Sequence, residues 1–173
     1  NDVVRPVSKA KFLGVEINST LNFKDHIQAL SQRAEKRLNI LRILAWGGTD
    51  PKILIRLYKV YIRSIFEYGS VCFVHSPDST LDIMQKIQNR AIRTCLHLPR
   101  YVSLKILHES ACLPMIKVRL LQLSLKMVTK MKVGNPVLGK LISEREAEVI
   151  QLVCSSTSKD QKVIYRSHRS PLD

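Results

Sequence analysis

Residues 50–69 read DPKILIRLYKVYIRSIFEYG, a segment with clear signals at both ends of a helix. Asp50 can cap the first turn, Pro51 stands where a missing amide costs nothing, and Gly69 suits a left-handed C-terminal cap. The segment is apolar nearly all round, with one narrow polar stripe formed by Arg56, Lys59, Arg63 and Glu67. This pattern predicts the central helix of the domain, covered by neighbouring elements on most of its sides.

Helical periodicity extends along most of the remaining chain. It predicts helices at about 23–44, from a start signal at 76–79 to about 97, from Ser103 to about 110, and from Pro114 to just before Gly134. Residues 70–75 fit either a continuation of the central helix or a short buried connector. The pattern weakens from about residue 143, which predicts a short helix and a tail.

Residues 7–17 show the period-two alternation of a β-strand, with Leu13, Val15 and Ile17 on one face. Residues 2–6 are the one candidate partner nearby, and an isolated two-stranded hairpin is marginally stable. We therefore expect a mainly α fold, a bundle of about five to six helices preceded by a short β-hairpin or strand from a sheet that lies mostly outside the chain. Because no Met begins the sequence, we expect it to start inside a larger protein.

The chain has 28 Lys and Arg against 14 Asp and Glu, a net charge of +14. Such a surplus predicts a polyanionic partner, with nucleic acid first and an anionic membrane second. Ten of the cations but one acid, Glu109, lie between residues 84 and 133. Clustering favours binding over the alternative, which is that the cations keep the chain soluble.

Several other classes of protein fit poorly. The longest apolar runs fall far short of the roughly 20 residues that span a bilayer, and no secretion signal opens the chain. The four cysteines form no C-x-x-C pair, which favours a reduced compartment. We expect an intracellular protein of the nucleus or cytoplasm, with no membrane partner.

Recognisable catalytic chemistry is missing. Two-metal phosphoryl transfer needs clustered carboxylates, yet no two of the seven aspartates are adjacent, and there is no G-x-S-x-G nucleophile motif. We expect no metal or cofactor within the chain. Packing roles are predicted for three tyrosines, two histidines, a glutamine and a cysteine: Tyr58, Tyr61, Tyr68, His26, His108, Gln88 and Cys95.

Several ordered motifs resemble one family, the reverse transcriptases of jockey-like non-LTR retrotransposons. They are KFLG at 11–14, LNFKDHI at 21–27, RLYKVYIRS at 56–64 with YG at 68–69, IQNRAIR at 87–93, and LP at 113–114 followed by RL at 119–120. Phe23 stands where that family usually has Trp. Together the motifs cover about residues 9–125 and are far more specific than any one of them.

The resemblance implies that residues 1–18 are the end of a palm and 19–142 a helical thumb and connection region. The weakening pattern makes 143–173 a short helix and mobile tail. The resemblance places a primer grip at Phe12, Leu13 and Gly14. In that family the palm's metal-binding motif lies upstream, so Mg²⁺ and catalysis would belong to that palm. The palm then becomes a partner within the same polypeptide, and this chain is expected to be inactive alone.

A thumb holds its primer–template duplex by the phosphate backbone, so it needs helices with basic edges. Two such edges are predicted, and we expect the phosphate contacts to be Lys86, Arg90, Arg93, Arg119, Lys126 and Lys130. For each residue the alternative is a solvated helix face. For the whole chain the alternative is a non-enzymatic helical interaction module or a decayed retroelement remnant.

Overall fold

The computed structural model of the chain describes residues 8–135. An antiparallel hairpin comes first, with β1 at Lys9–Phe12 paired to β2 at Val15–Asn18. Helices follow, which confirms the mainly α fold with a leading hairpin. The predicted tail at 143–173 and the possible strand at 2–6 lie outside the described residues.

The single strand predicted over residues 7–17 is wrong, because the chain reverses in its middle. Leu13 and Gly14 form the turn with φ values of 46° and 82°, both in the left-handed region. Two successive left-handed residues give the tight turn whose twist matches that of a hairpin. The alternation of side-chain types runs through the turn, so it gave no sign of the reversal.

The helices have the following bounds: α1 Lys24–Trp46, α2 Pro51–Leu57, a π-helical segment Tyr58–Arg63, α3 Ser64–Glu67, α4 Ser70–Phe73, α5 Asp78–Cys95, α6 Leu104–Ala111 and α7 Ile116–Gly134. The cap signals are confirmed. The side chain of Asp50 accepts a hydrogen bond from the Lys52 amide at 2.6 Å, Ser103 accepts one from the Ile106 amide at 3.4 Å, and Gly69 has a φ of 66°. Residues 70–75, left open by the sequence, contain the short helix α4.

The core lies around α5, which packs against α1, α2, α6 and α7. Its largest fully buried side chains come from several helices: Tyr58, Phe66, Phe73, Ile27, Leu38, Leu41, Leu54, Ile62, Leu81, Met84, Ile87 and Ile92. The helix predicted to be central, α2 through α3, is covered on one side instead. Ile53 and Val60 are exposed, Val60 to 75%. Helix α5, which touches more of its neighbours, holds the central position.

Of the three tyrosines predicted to lie in the core, the structure confirms Tyr58. Tyr61 and Tyr68 are exposed, so that prediction is wrong for these two. Tyr61 instead lies beneath the guanidinium of Arg37, whose central carbon is 4.5 Å from the ring centroid. This cation–π contact stabilises the position of the aromatic ring at the surface.

Buried polar side chains connect the helices, as predicted for Gln88. Its Oε1 accepts a hydrogen bond from the Tyr58 hydroxyl at 3.0 Å, and its Nε2 donates to the Pro114 carbonyl at 2.7 Å. These two bonds fix the π-helical segment and the start of α7 against α5. Since both residues are almost fully buried, the bonds satisfy groups that water cannot reach.

The two histidines are buried and have the predicted packing roles. His26 accepts the Glu16 amide at its Nδ1 (3.3 Å), and its ring meets Phe73 edge-on at 5.4 Å. His108 Nδ1 lies 3.0 Å from the Leu113 carbonyl. Burial lowers the pKa of both side chains.

Candidate nucleic-acid interface

A basic groove of about 540 Å³ lies where the C-terminal ends of α1 and α5 come together. Its walls are formed by four arginines, one histidine and four other residues: Arg42, Arg90, Arg93, Arg100, His97, Ala45, Trp46, Thr94 and Leu98. No carboxylate is among them. Its volume is in the range of ligand-binding clefts, roughly 300–1,000 Å³, and its charge has one sign.

Helical spacing within α1 and α5 explains how the walls form. On α1, Arg42 and Trp46 are four residues apart, so they share one face. On α5, Arg90 and Arg93 are three residues apart and point to the same side, while the loop after the helix supplies Arg100. Packing of α1 along α5 brings the two faces together.

The arginines of the groove differ in how their charge is balanced. Arg90 forms an ion pair with Glu35 of α1. Arg42 donates to the Asn39 side chain at 3.0 Å, and Arg93 donates to the Val102 carbonyl at 3.2 Å. Across residues 8–135, no ion pair involves Arg42, Arg93 or Arg100. A guanidinium has five N–H donors, so bonds to neutral acceptors leave it free to meet an anion.

The predicted phosphate contacts on α7 lie in other surroundings. Nε of Arg119 is 2.8 Å from Oε1 of Glu67, and the same oxygen is 2.8 Å from Nε of Arg63. One carboxylate thus stands between two arginines and joins α7 to α3. Lys126 and Lys130 are exposed farther along α7, and none of the three lines the groove.

The structure therefore joins two of the predicted contacts, Arg90 and Arg93, in one groove, with Lys86 exposed one turn earlier on α5. Arg42, Trp46 and Arg100 were not predicted from the sequence. Trp46 lies just beyond the helix end predicted at about residue 44. Its four-residue spacing from Arg42 was the available clue.

The predicted primer grip lies at the tip of the hairpin, with Phe12 and Leu13 exposed to 65% and 73%. This tip is docked on the helices. The Tyr68 hydroxyl donates to the Leu13 carbonyl at 2.8 Å, and the backbone of Gly69 passes close to Val15. The KFLG and YG motifs, 55 residues apart in sequence, therefore contact each other.

Within residues 8–135, no group of three or more His, Cys, Asp or Glu side chains is arranged to hold a metal ion. None of the helices in this part of the chain is both long enough and apolar enough to cross a membrane.

Comparison with known proteins gives one informative similarity. No protein-family model and no solved structure matches the chain significantly. The chain is similar to the probable RNA-directed DNA polymerase from transposon BS of Drosophila melanogaster, with 29% identity over 104 residues. The match covers 59% of this chain but 12% of that protein. It supports the reverse-transcriptase family for this chain at a general level.

Proposed function

We propose that this chain is the thumb and connection part of the reverse transcriptase of a jockey-like non-LTR retrotransposon, and that it holds the primer–template duplex by its phosphates. The basic groove carries the proposal, because it gathers arginines from two helices without a carboxylate in its walls. The similarity to a transposon RNA-directed DNA polymerase supports it. Arginine is well suited to this role, since its planar fork matches the oxygens of a phosphate.

In this proposal the chain does no chemistry by itself. The polymerase reaction and its Mg²⁺ ions belong to a palm domain of the same polypeptide, which would also be a protein partner of the hairpin. Phe12, Leu13 and Gly14 would act as the primer grip at the hairpin tip. The groove would supply affinity and position, because contacts to phosphates fix a duplex in place without reading its sequence. The protein would work inside the cell, in the nucleus or cytoplasm.

The salt dependence of binding tests the proposal. The logarithm of the association constant for an RNA–DNA duplex should fall linearly with the logarithm of the salt concentration, with a slope of about −0.7 to −0.9 per phosphate neutralised. Arg42→Ala and Arg100→Ala should each flatten the slope by about one such unit. Lys105→Ala removes an exposed cation of α6 that does not line the groove. It should leave the slope nearly unchanged.

A double variant, Lys86→Glu with Arg93→Glu, should flatten the slope further, because two charges are reversed. Arg93 also bonds the Val102 carbonyl, so circular dichroism must first show that this double variant is folded. Equal effects of the groove variants and Lys105→Ala would refute a specific role for the groove.

A helical interaction module remains the second candidate, favoured by an exposed apolar surface. Ile43 of α1, Ile53 of α2 and Val60 of the π-helical segment are more than half exposed, and such surface can mark a protein contact. The same titration separates the two candidates. A folded chain that binds no duplex, or binds it without salt dependence, would support the interaction module.

A further inference from the structure

Trp46 is the one tryptophan in the chain, and it is exposed to 84%. It is the last residue of α1 and forms part of the wall of the basic groove. Phosphate binding by the arginines does not explain it. A large, exposed ring beside several arginines suits a partner that presents an aromatic or apolar face together with negative charge.

We propose that the groove takes unpaired nucleotides, with one base stacked on the indole of Trp46 and the adjoining phosphates held by the arginines. This inference rests on the proposed function and adds that the groove, besides holding duplex phosphates, also takes an unpaired stretch of nucleic acid. A base within a continuous duplex has both faces covered by its neighbours, so it offers no free face to an indole. An unpaired base does, and combining aromatic stacking with a basic channel is how proteins commonly hold single strands.

The positions of the arginines agree with this occupant. Arg42 lies one turn before Trp46 on the same face of α1. It is therefore placed to contact a phosphate next to a base that stacks on Trp46. Arg93 comes from α5 and Arg100 from the segment after it, and neither forms an ion pair within the described range. A strand that follows the groove would thus meet cations from both α1 and the α5 side.

Fluorescence tests the stacking directly, because all tryptophan emission of the 173-residue chain comes from Trp46. The chain is titrated with a uridine oligonucleotide, with a long blunt-ended RNA–DNA duplex in which terminal bases are a small share of the total, and with polyglutamate. We expect the single strand to quench the emission, and the duplex to quench it much less at equal occupancy. Quenching and affinity as strong with polyglutamate would overturn the inference in favour of an acidic peptide.

The contribution of stacking to binding is measured as the affinity of variants for a labelled single strand. Trp46→Ala should weaken binding by about tenfold, since stacking of one base on an aromatic side chain typically contributes roughly 5- to 150-fold. Trp46→Phe should retain part of the affinity. Tyr101→Ala is the matched control, because Tyr101 is 89% exposed and does not line the groove; its affinity should stay within about twofold.

The outcomes separate this inference from the proposed function. Salt-dependent duplex binding with an unquenched Trp46, and with Trp46→Ala equal to the parent chain, would overturn the stacking and leave the duplex-holding function intact. Absence of binding to either form of nucleic acid would overturn both. Trp46 is too exposed for its truncation to disturb the core, and circular dichroism of Trp46→Ala checks this.

Discussion

The contact between Gly69 and Val15 should hold the hairpin on the helices, and it can be measured. A Cβ atom added at Gly69 would lie 2.9 Å from Val15 Cγ2, and the φ of Gly69 is +66°. Gly69→Ala should therefore destabilise the protein twice over. The left-handed backbone costs an alanine about 1 kcal/mol, and the forced overlap adds about 1.5 kcal/mol, for a total loss of about 2.5 kcal/mol.

Val15→Ala removes the methyl group that causes the overlap. By itself it should cost about 1.5 kcal/mol, because two buried methyl groups are lost. In the double variant the overlap is absent, so the expected loss is about 2.5 kcal/mol and not the additive sum of about 4 kcal/mol. The assay is equilibrium unfolding in urea, followed by far-ultraviolet circular dichroism.

Gly48 provides a matched control. Its φ is +78°, but an added Cβ would meet no atom within 4 Å. Gly48→Ala should cost about 1 kcal/mol from the backbone alone, and this cost should not change when Val15 is truncated. Equal costs for the two glycine variants, or additive costs for Gly69→Ala and Val15→Ala, would refute the close contact.

Four further measurements test other parts of the structure. Tyr58→Phe should lower the free energy of unfolding by about 1–3 kcal/mol, because it leaves Oε1 of buried Gln88 without its donor; no loss in a urea titration would contradict that bond. The pKa of His108 is lowered by burial, so the unfolded chain binds its proton more readily. Stability should then be full above about pH 6.5 and fall as the pH drops below it, with a ring titration by NMR giving a pKa below 6.5. Burial raises the pKa of Cys95 to about 12, so an alkylating reagent should modify the exposed cysteines of the described chain in the native state and spare Cys95, as peptide mass mapping can show. Glu35→Gln should tighten duplex binding and steepen its salt slope by about 0.7–0.9, because the ion pair with a groove arginine is lost; unchanged affinity would mean that this arginine does not meet the nucleic acid.

Features encoded within a few residues were predictable from the sequence. The caps at Asp50, Gly69 and Ser103 depend on local backbone geometry, and each is where the pattern placed it. Burial of Gln88 followed from its place on the apolar face of a helix. The alternation of side chains did not reveal the turn at 13–14, because one leucine and one glycine reverse the chain without interrupting it.

The groove needed tertiary information that no local pattern contains. Arg42 and Arg93 line the same groove because α1 packs along α5, and neither helix alone reveals that they come together. The partners in ion pairs could not be predicted from local patterns either. Glu35 neutralises Arg90 across 55 residues of sequence, and Glu67 meets Arg119 across 52. A count of charges along the chain could not anticipate either pair.

These ion pairs change where the binding charge should be sought. The surplus between residues 84 and 133 pointed to the exposed lengths of α5 and α7, yet Arg90, Lys117 and Arg119 in that stretch each face a carboxylate. An ion pair already formed at the surface must be broken or shared before its cation can bind a phosphate, which reduces what that cation contributes. Cations without such a partner keep their full attraction. In the groove these include Arg42 from α1, which lies outside the charged stretch altogether. The proposed interface is therefore better defined by the absence of carboxylates between two helix ends than by the density of lysine and arginine along either helix.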